Sequence, residues 1–115
     1  MNKVVLDSSS LLALIQQEAG AELVKSVLKF SSMSAINVAE CLTVLERTGV
    51  KHQEASMLIQ DIVKDIVVFD MEQAELVASL QLRIQHKGIS LGDKACIALG
   101  IKLQATIYTA DRICT

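Results

Sequence analysis

The sequence predicts one three-layer α/β/α domain that is built on a short parallel sheet. Short apolar runs, which are typical of buried strands, alternate with longer helical segments along the whole chain. The Asn-Gly and Asp-Gly pairs that mark tight β-hairpins do not occur in the sequence. At 115 residues the chain is large enough for a single hydrophobic core. We therefore expect parallel strands joined by helical crossovers, in one domain over residues 1–115.

Four short segments are predicted to form the strands of this sheet. Ile66–Phe69 reads IVVF and gives the clearest signal, because a bounded run of apolar, mostly β-branched residues is typical of a buried strand. Ser32–Ser34 gives a weak signal and is placed mainly because a helix follows it at once. The predicted strands are Lys3–Leu6, Ser32–Ser34, Ile66–Phe69 and Ala105–Thr109.

Helical segments lie between these strands, and several begin or end at recognisable signals. The run 7–10 (DSSS) after the first strand is a start signal, and Gly20 separates the first two helices. Gly49 is predicted to end the third helix at its C′ position, where glycine is favoured. The predicted helices are Leu11–Gln17, Ala21–Lys29, Ile36–Thr48, His52–Lys64, Met71–His86 and Ser90–Leu103.

Composition indicates an aliphatic core, since 51% of the residues are hydrophobic and only 3% are aromatic. No uninterrupted apolar run approaches the roughly 18 residues that span a bilayer. No basic segment followed by an apolar one marks a signal peptide. We expect a cytoplasmic protein.

The cysteines and histidines do not form a recognisable ligand or disulfide pattern. Cys41, Cys96 and Cys114 are odd in number and contain no Cys-x-x-Cys pair, so they predict neither a disulfide framework nor a zinc site. Cys41 and Cys96 fall in apolar helical segments, where a cysteine thiol behaves as a small buried hydrophobic group. His52 and His86 lie near predicted helix ends, and we expect both at the surface.

Four acidic residues, Asp7, Glu40, Asp93 and Asp111, lie where a predicted strand ends or in a helix near such an end. Because the carboxyl ends of parallel strands meet at one edge of a sheet, these carboxylates could converge there. Converging carboxylates repel one another unless a divalent cation neutralises them. The pattern therefore suggests the chemistry of a metal-dependent phosphodiesterase.

Each of these acids also has an ordinary structural explanation. Asp7 could cap the first helix, and Ser90-x-x-Asp93 fits a capping box. Turn chemistry accounts for Asp111. On a helical wheel Glu40 lies on a polar face that is either solvated or turned toward the sheet edge. The residues of that face are Asn37, Glu40, Thr43 and Arg47.

Net charge does not choose between these explanations. The formal charge of −2 looks unfavourable for a nucleic-acid protein. Without the four candidate acids, however, nine acidic residues remain beside eleven basic ones. Charge therefore neither supports nor excludes a polynucleotide substrate.

Four sequence blocks together span nearly the whole chain: Val4–Ala13 (VVLDSSSLLA), Ser34–Glu40 (SAINVAE), Ser90–Leu99 (SLGDKACIAL) and Tyr108–Arg112 (YTADR). In this order they resemble a PIN domain, specifically the toxin ribonucleases of the VapBC toxin–antitoxin type. The resemblance implies a Mg²⁺- or Mn²⁺-dependent endoribonuclease that acts as a toxin, in which a metal-activated water attacks the RNA phosphodiester.

The resemblance also implies roles for particular residues. Asp7, Glu40 and Asp93 would be catalytic metal-binding acids, and Asp111 would be the fourth and more variable member. Ser9 and Thr109 match positions where the family often has a small hydroxyl that positions an acid or a water. The implied partners are an RNA substrate, a small antitoxin protein and a second copy of the chain in a homodimer.

The C-terminus departs from the family pattern. Related domains continue past the Thr-x-Asp block into a helix and a fifth, edge strand, whereas this chain ends at Thr115. We therefore expect a truncated C-terminus and a sheet that lacks its last edge strand.

Other functions remain to be weighed against the ribonuclease. The main alternative is a catalytically weak module that keeps the fold and serves as a protein-binding partner. A phosphoacceptor receiver domain would need an acidic pair at positions 7 and 8, and Ser8 breaks it. A phosphatase of the Asp-x-Asp type fails in the same way at Ser9.

Overall fold

The computed structural model describes residues 3–83, 89–110 and 113–114. Within these residues the chain forms strands, α-helices and a single-turn 3₁₀ helix, Leu28–Phe30. The strands are β1 (Val4–Leu6), β2 (Ser31–Ser34), β3 (Asp65–Val67), β4 (Thr106–Tyr108) and β5 (Ile113–Cys114). The α-helices are α1 (Ser8–Ile15), α2 (Ala21–Val27), α3 (Ala35–Arg47), α4 (His52–Ile62), α5 (Met71–Arg83) and α6 (Leu91–Leu103).

The strands form one sheet in the order β3-β2-β1-β4-β5. The first four are mutually parallel, as predicted, and β1 lies between β2 and β4 with Val5 opposite both Ser32 and Ile107. The pair β4 and β5 is antiparallel. The expectation that the last edge strand is missing is therefore wrong. A strand of two residues is too short to show a periodic pattern in the sequence.

The sheet lies between two layers of helices, and β1 is therefore buried on both faces. Val5 packs with Cys96 and Leu99 of α6 on one face. Val4 and Leu6 pack with the buried Val24 of α2 on the other. A third cluster joins α1, α3, α4 and β2: Leu11, Met33, Cys41, Leu45, Ala55, Ile59 and Val63. The predicted three-layer architecture is confirmed.

The predicted helices are present, and their ends differ from the sequence pattern at a few points. Helix α1 begins at Ser8, three residues earlier than predicted, because Asp7 caps it directly. The 3₁₀ turn Leu28–Phe30 replaces the end of the predicted second helix. The structure describes α5 as far as Arg83, and the predicted end of that helix at His86 lies outside the described residues.

Cys41 and Cys96 are both buried, as the sequence predicts. Burial raises the pKa of the Cys41 thiol to about 12, so this thiol stays protonated at neutral pH. His52 is exposed at the start of α4, whereas His86 and the side chain of Cys114 lie outside the described part of the chain. Along the described segments, no helix combines the length and apolar character that a bilayer crossing requires.

Helix α3 ends in a Schellman motif around Gly49, which has a φ of +94°. The amide of Gly49 donates to the carbonyl of Glu46 at 3.0 Å, and the amide of Val50 donates to that of Leu45 at 3.0 Å. This is the C′ glycine that the sequence predicts.

Replacing Gly49 should lower stability through backbone strain alone, because a Cβ at this position would meet no atom within 4 Å. We expect Gly49→Ala to reduce the free energy of unfolding by about 1 kcal/mol, measured by urea denaturation. Gly49→Asn is the matched control and should lose less, since asparagine tolerates the left-handed region. Equal stability of the alanine variant and the parent chain would contradict this account.

Candidate active site

Three of the four predicted acids line one open cavity at the carboxyl edge of the sheet. The cavity measures about 370 Å³ and is lined by residues of β1's end, α1, α3 and α6: Asp7, Ser8, Ser9, Leu12, Asn37, Glu40, Val44 and Asp93. A neighbouring cavity of about 300 Å³ also contains Asp7 and Asp93, together with Thr109. The parallel topology therefore brings acids from distant parts of the sequence to a common edge.

Asp7 joins the end of β1 to the start of α1. Its Oδ1 accepts from the amide of Ser10 at 2.9 Å, which makes Asp7 the N-cap of α1. The same oxygen accepts from the hydroxyl of Ser9 at 2.7 Å. That hydroxyl in turn accepts from the amide of Ala110 at 3.1 Å. Ser9 thus links Asp7 to the segment after β4, and its supporting role in the site stays a prediction.

Glu40 is half-buried and faces the cavity from α3. Its Oε1 accepts hydrogen bonds from the hydroxyl of Ser8 at 2.5 Å and from Nδ2 of Asn37 at 3.0 Å. The polar face of the helical wheel is divided in the structure. Asn37 is buried beside Glu40, whereas Thr43 and Arg47 are exposed to solvent. The inward orientation that the wheel left open is the one observed.

Ser8 and Asn37 are site residues that we did not identify from the sequence. The sequence gives neither residue a role in the site. Both lie next to a predicted acid, Ser8 one residue after Asp7 and Asn37 one helical turn before Glu40, and both fall within the blocks that resemble a PIN domain. These are the signals that the sequence holds for them.

Asp93 is exposed in the first turn of α6 and forms the predicted capping box with Ser90. The amide of Asp93 donates to Oγ of Ser90 at 3.1 Å, and the amide of Ser90 donates to Oδ2 of Asp93 at 3.2 Å. The positive end of the helix dipole favours a carboxylate here. Its capping role therefore coexists with a place on the cavity wall.

Asp111 and its neighbour Arg112 lie outside the described residues. Thr109, for which the family resemblance implies a supporting hydroxyl, lines the neighbouring cavity with Asp7 and Asp93. The backbone amide of Ala110, the last described residue before Asp111, donates to the hydroxyl of Ser9. The assignment of Asp111 to the site stays a prediction.

The carboxylates of the cavity suit a divalent cation that keeps several waters better than a cation that is enclosed by protein ligands. Among the described residues, no three Asp, Glu, His or Cys side chains converge closely enough to hold a metal ion together. Their hydrogen bonds engage one oxygen of each carboxylate, Oδ1 of Asp7, Oε1 of Glu40 and Oδ2 of Asp93. Mg²⁺ binds through one or two carboxylates and keeps several waters. The residues present fit such an ion, and direct ligation by all the predicted acids stays a prediction.

Comparisons with known proteins agree with this fold. A family model described as the PIN domain matches residues 4–114. One similar solved structure is VapC20 of Mycobacterium tuberculosis, described as a sarcin-ricin loop cleaving toxin. It is 17% identical, with 93% of this chain and 88% of that chain covered and a TM-score of 0.74. Another belongs to a toxin-antitoxin complex from Klebsiella pneumoniae, at 14% identity, 91% and 83% coverage and a TM-score of 0.73. A search of curated proteins gave no significant match.

Substitution of Asp7 should separate its capping role from its charge. An asparagine side chain would still accept hydrogen bonds through Oδ1, so we expect Asp7→Asn to change the free energy of unfolding by less than about 0.5 kcal/mol. Asp7→Ala loses the cap of α1 and should cost about 1 kcal/mol. Urea denaturation in EDTA measures both, and equal losses in the two variants would show that the cap is not what stabilises α1.

Proposed function

Because the chain belongs to the PIN domain family, we propose that it is a toxin ribonuclease. In this proposal it hydrolyses RNA phosphodiester bonds internally and depends on Mg²⁺, which Mn²⁺ can replace. The observation that carries the proposal is the cavity at the sheet edge, which Asp7, Glu40 and Asp93 line from separate elements. Carboxylates that share a cavity wall can bind a catalytic divalent cation directly or through its waters.

The side chains of the cavity have distinct proposed tasks. Asp7, Glu40 and Asp93 would hold the cation, directly or through its waters, with Asp111 as the expected fourth acid. The bound ion would supply a nucleophilic water and stabilise charge on the phosphate. Ser9 fixes the orientation of Asp7, and Ser8 donates to Glu40. No histidine among the described residues lines the cavity, so the carboxylates of the acidic residues are the candidates for a general base.

RNA is the proposed substrate because of the proteins that share this fold. VapC20 is described as cleaving the sarcin-ricin loop, which is the basis for proposing RNA here. With aromatics at 3% of the residues, extensive stacking on bases is not available to this chain. Recognition would instead depend on RNA shape and contacts with phosphates and 2′-hydroxyls.

The proposed partners are a small antitoxin and a second copy of the chain. The Klebsiella pneumoniae structure is of a toxin-antitoxin complex, and it supports an antitoxin as the inhibitor of this chain. The homodimer and the cytoplasmic location are carried over from the family resemblance. The alternative function, a catalytically weak module that binds a partner protein, predicts the same fold and a different outcome in the cleavage assay.

Cleavage of a structured RNA tests the proposed function. We expect cleavage with Mg²⁺ or Mn²⁺, none in EDTA, and a loss of at least ~100-fold for Asp7→Asn and Asp93→Asn, since changing even the residues that support metal ligands costs 10–100-fold. Asp61→Asn is the matched control, because Asp61 is an exposed carboxylate on α4 that does not line the cavity. Rates are measured from labelled RNA on denaturing gels.

Two results would overturn the metal-dependent mechanism. One is cleavage that persists in EDTA, and the other is cleavage that survives both aspartate substitutions. Absence of cleavage under every condition, with a tight complex formed by a small helical partner protein, would favour the binding module.

A further inference from the structure

The side chain of Asn37 connects two helices at the cavity. It is buried, with 1% of its surface exposed, and its Nδ2 donates at 3.0 Å to Oε1 of Glu40. The same nitrogen donates at 3.0 Å to the carbonyl of Gly92, which lies 55 positions away along the chain in the first turn of α6. One amide group therefore fixes both the acid on α3 and the helix that carries Asp93.

The partners of Asn37 determine which way its amide faces. If the amide were rotated by 180°, its oxygen would face the carboxylate of Glu40 and the carbonyl of Gly92, and both are acceptors. The observed orientation leaves Oδ1 buried without a hydrogen-bond partner. Burying an unpaired acceptor lowers stability, and such groups are rare in folded proteins. The amide orientation that gives Glu40 a hydrogen bond therefore lowers the stability of the folded state.

Gly92 contributes to the same arrangement through its lack of a side chain. A Cβ at this position would overlap the carboxyl group of Glu40. Backbone freedom is not the reason for this glycine, because it lies within α6 and does not have a positive φ. Because Gly92 has only a hydrogen atom in place of a side chain, the carboxylate of Glu40 can occupy the space beside it. Gly92 lies one residue before Asp93 in the sequence.

We propose that Asn37 and Gly92 are positioning residues that hold Glu40 beside Asp93 for binding of the divalent cation. Asn37 restrains the Glu40 carboxylate, and Gly92 provides the room for it. The hydroxyl of Ser8 restrains the same oxygen from α1. This inference rests on the proposed function, because it requires that the acids bind a cation. Neither residue touches the RNA or the reacting atoms in this scheme.

Binding of Mn²⁺ without RNA measures the positioning role directly. We expect Asn37→Ala to weaken Mn²⁺ affinity by 10- to 100-fold in isothermal titration calorimetry, the usual effect of losing a residue that orients a metal ligand. Gln73→Ala is the matched control. Gln73 is another buried amide with an unpaired oxygen, but its Nε2 donates to the carbonyl of Val68, and it does not line the cavity.

The control separates positioning from general stability. Both substitutions should lower the midpoint of thermal unfolding in EDTA, because both remove a buried hydrogen bond. Only Asn37→Ala should weaken Mn²⁺ binding. Equal Mn²⁺ affinity of the Asn37→Ala variant and the parent chain would overturn the inference.

A double-mutant cycle tests whether Asn37 acts through Glu40. If it does, Asn37→Ala should cause little further loss of Mn²⁺ affinity when Glu40→Gln is already present. A full additional loss would overturn the inference and leave the proposed function intact. If Glu40→Gln alone leaves Mn²⁺ affinity unchanged, the proposed ligand set is wrong, and the inference fails with it.

Gly92→Ala provides an independent variant if Asn37→Ala does not fold. We expect a loss of Mn²⁺ affinity of about tenfold or more, because the new methyl group displaces the carboxylate of Glu40. Gly100→Ala is the control on the same helix, since its Cβ would crowd Cγ1 and Cδ1 of Ile107 and would not touch Glu40. Unchanged Mn²⁺ affinity in Gly92→Ala would contradict the role assigned to this glycine.

Discussion

Parallel pairing of β1 with both β2 and β4 is the constraint on which the rest of the structure depends. It buries Val4, Val5 and Leu6 completely or nearly so, and both faces of the strand must then be covered by helices. Right-handed crossovers bring the starts of those helices to one edge of the sheet. The ladder continues past β1, because the amide of Asp7 donates to the carbonyl of Tyr108 at 3.2 Å. The first acid of the site is thus fixed by the same pairing that forms the core.

The acids of the cavity have structural as well as proposed chemical roles. Asp7 caps α1, and Asp93 completes the capping box of α6. Each cap uses one carboxylate oxygen, so capping and cation binding are compatible at the same residue. Helix starts are favourable places for such acids, since the dipole stabilises the negative charge there. A capping pattern in the sequence therefore does not argue against a role in the site.

The sequence predicts local features well and contacts between distant segments poorly. Strand ends and helix starts predict the positions of Asp7 and Asp93 at the edge of the sheet without reference to other segments. The orientation of Glu40 could not be derived in this way, because it depends on the hydroxyl of Ser8 in another helix and on Asn37, whose amide also donates to the carbonyl of Gly92. Strand β5 was missed for a related reason: it is defined by pairing with β4 and has no pattern of its own.

Two buried amides show how structure and function can be distinguished in this fold. Gln73 and Asn37 each bury an oxygen without a partner, so each lowers stability in the same way. Gln73 donates to the carbonyl of Val68 and its backbone amide donates to Oδ1 of Asp70, so its contacts shape the turn between β3 and α5. Asn37 also has a backbone partner, the carbonyl of Gly92, but it donates in addition to an ionisable side chain on the wall of a cavity. A backbone partner accounts for Gln73 through the fold alone. The bond from Asn37 to Gly92 has the same explanation, whereas its bond to the Glu40 carboxylate orients an ionisable group toward the cavity, and this is the role that we propose for Asn37.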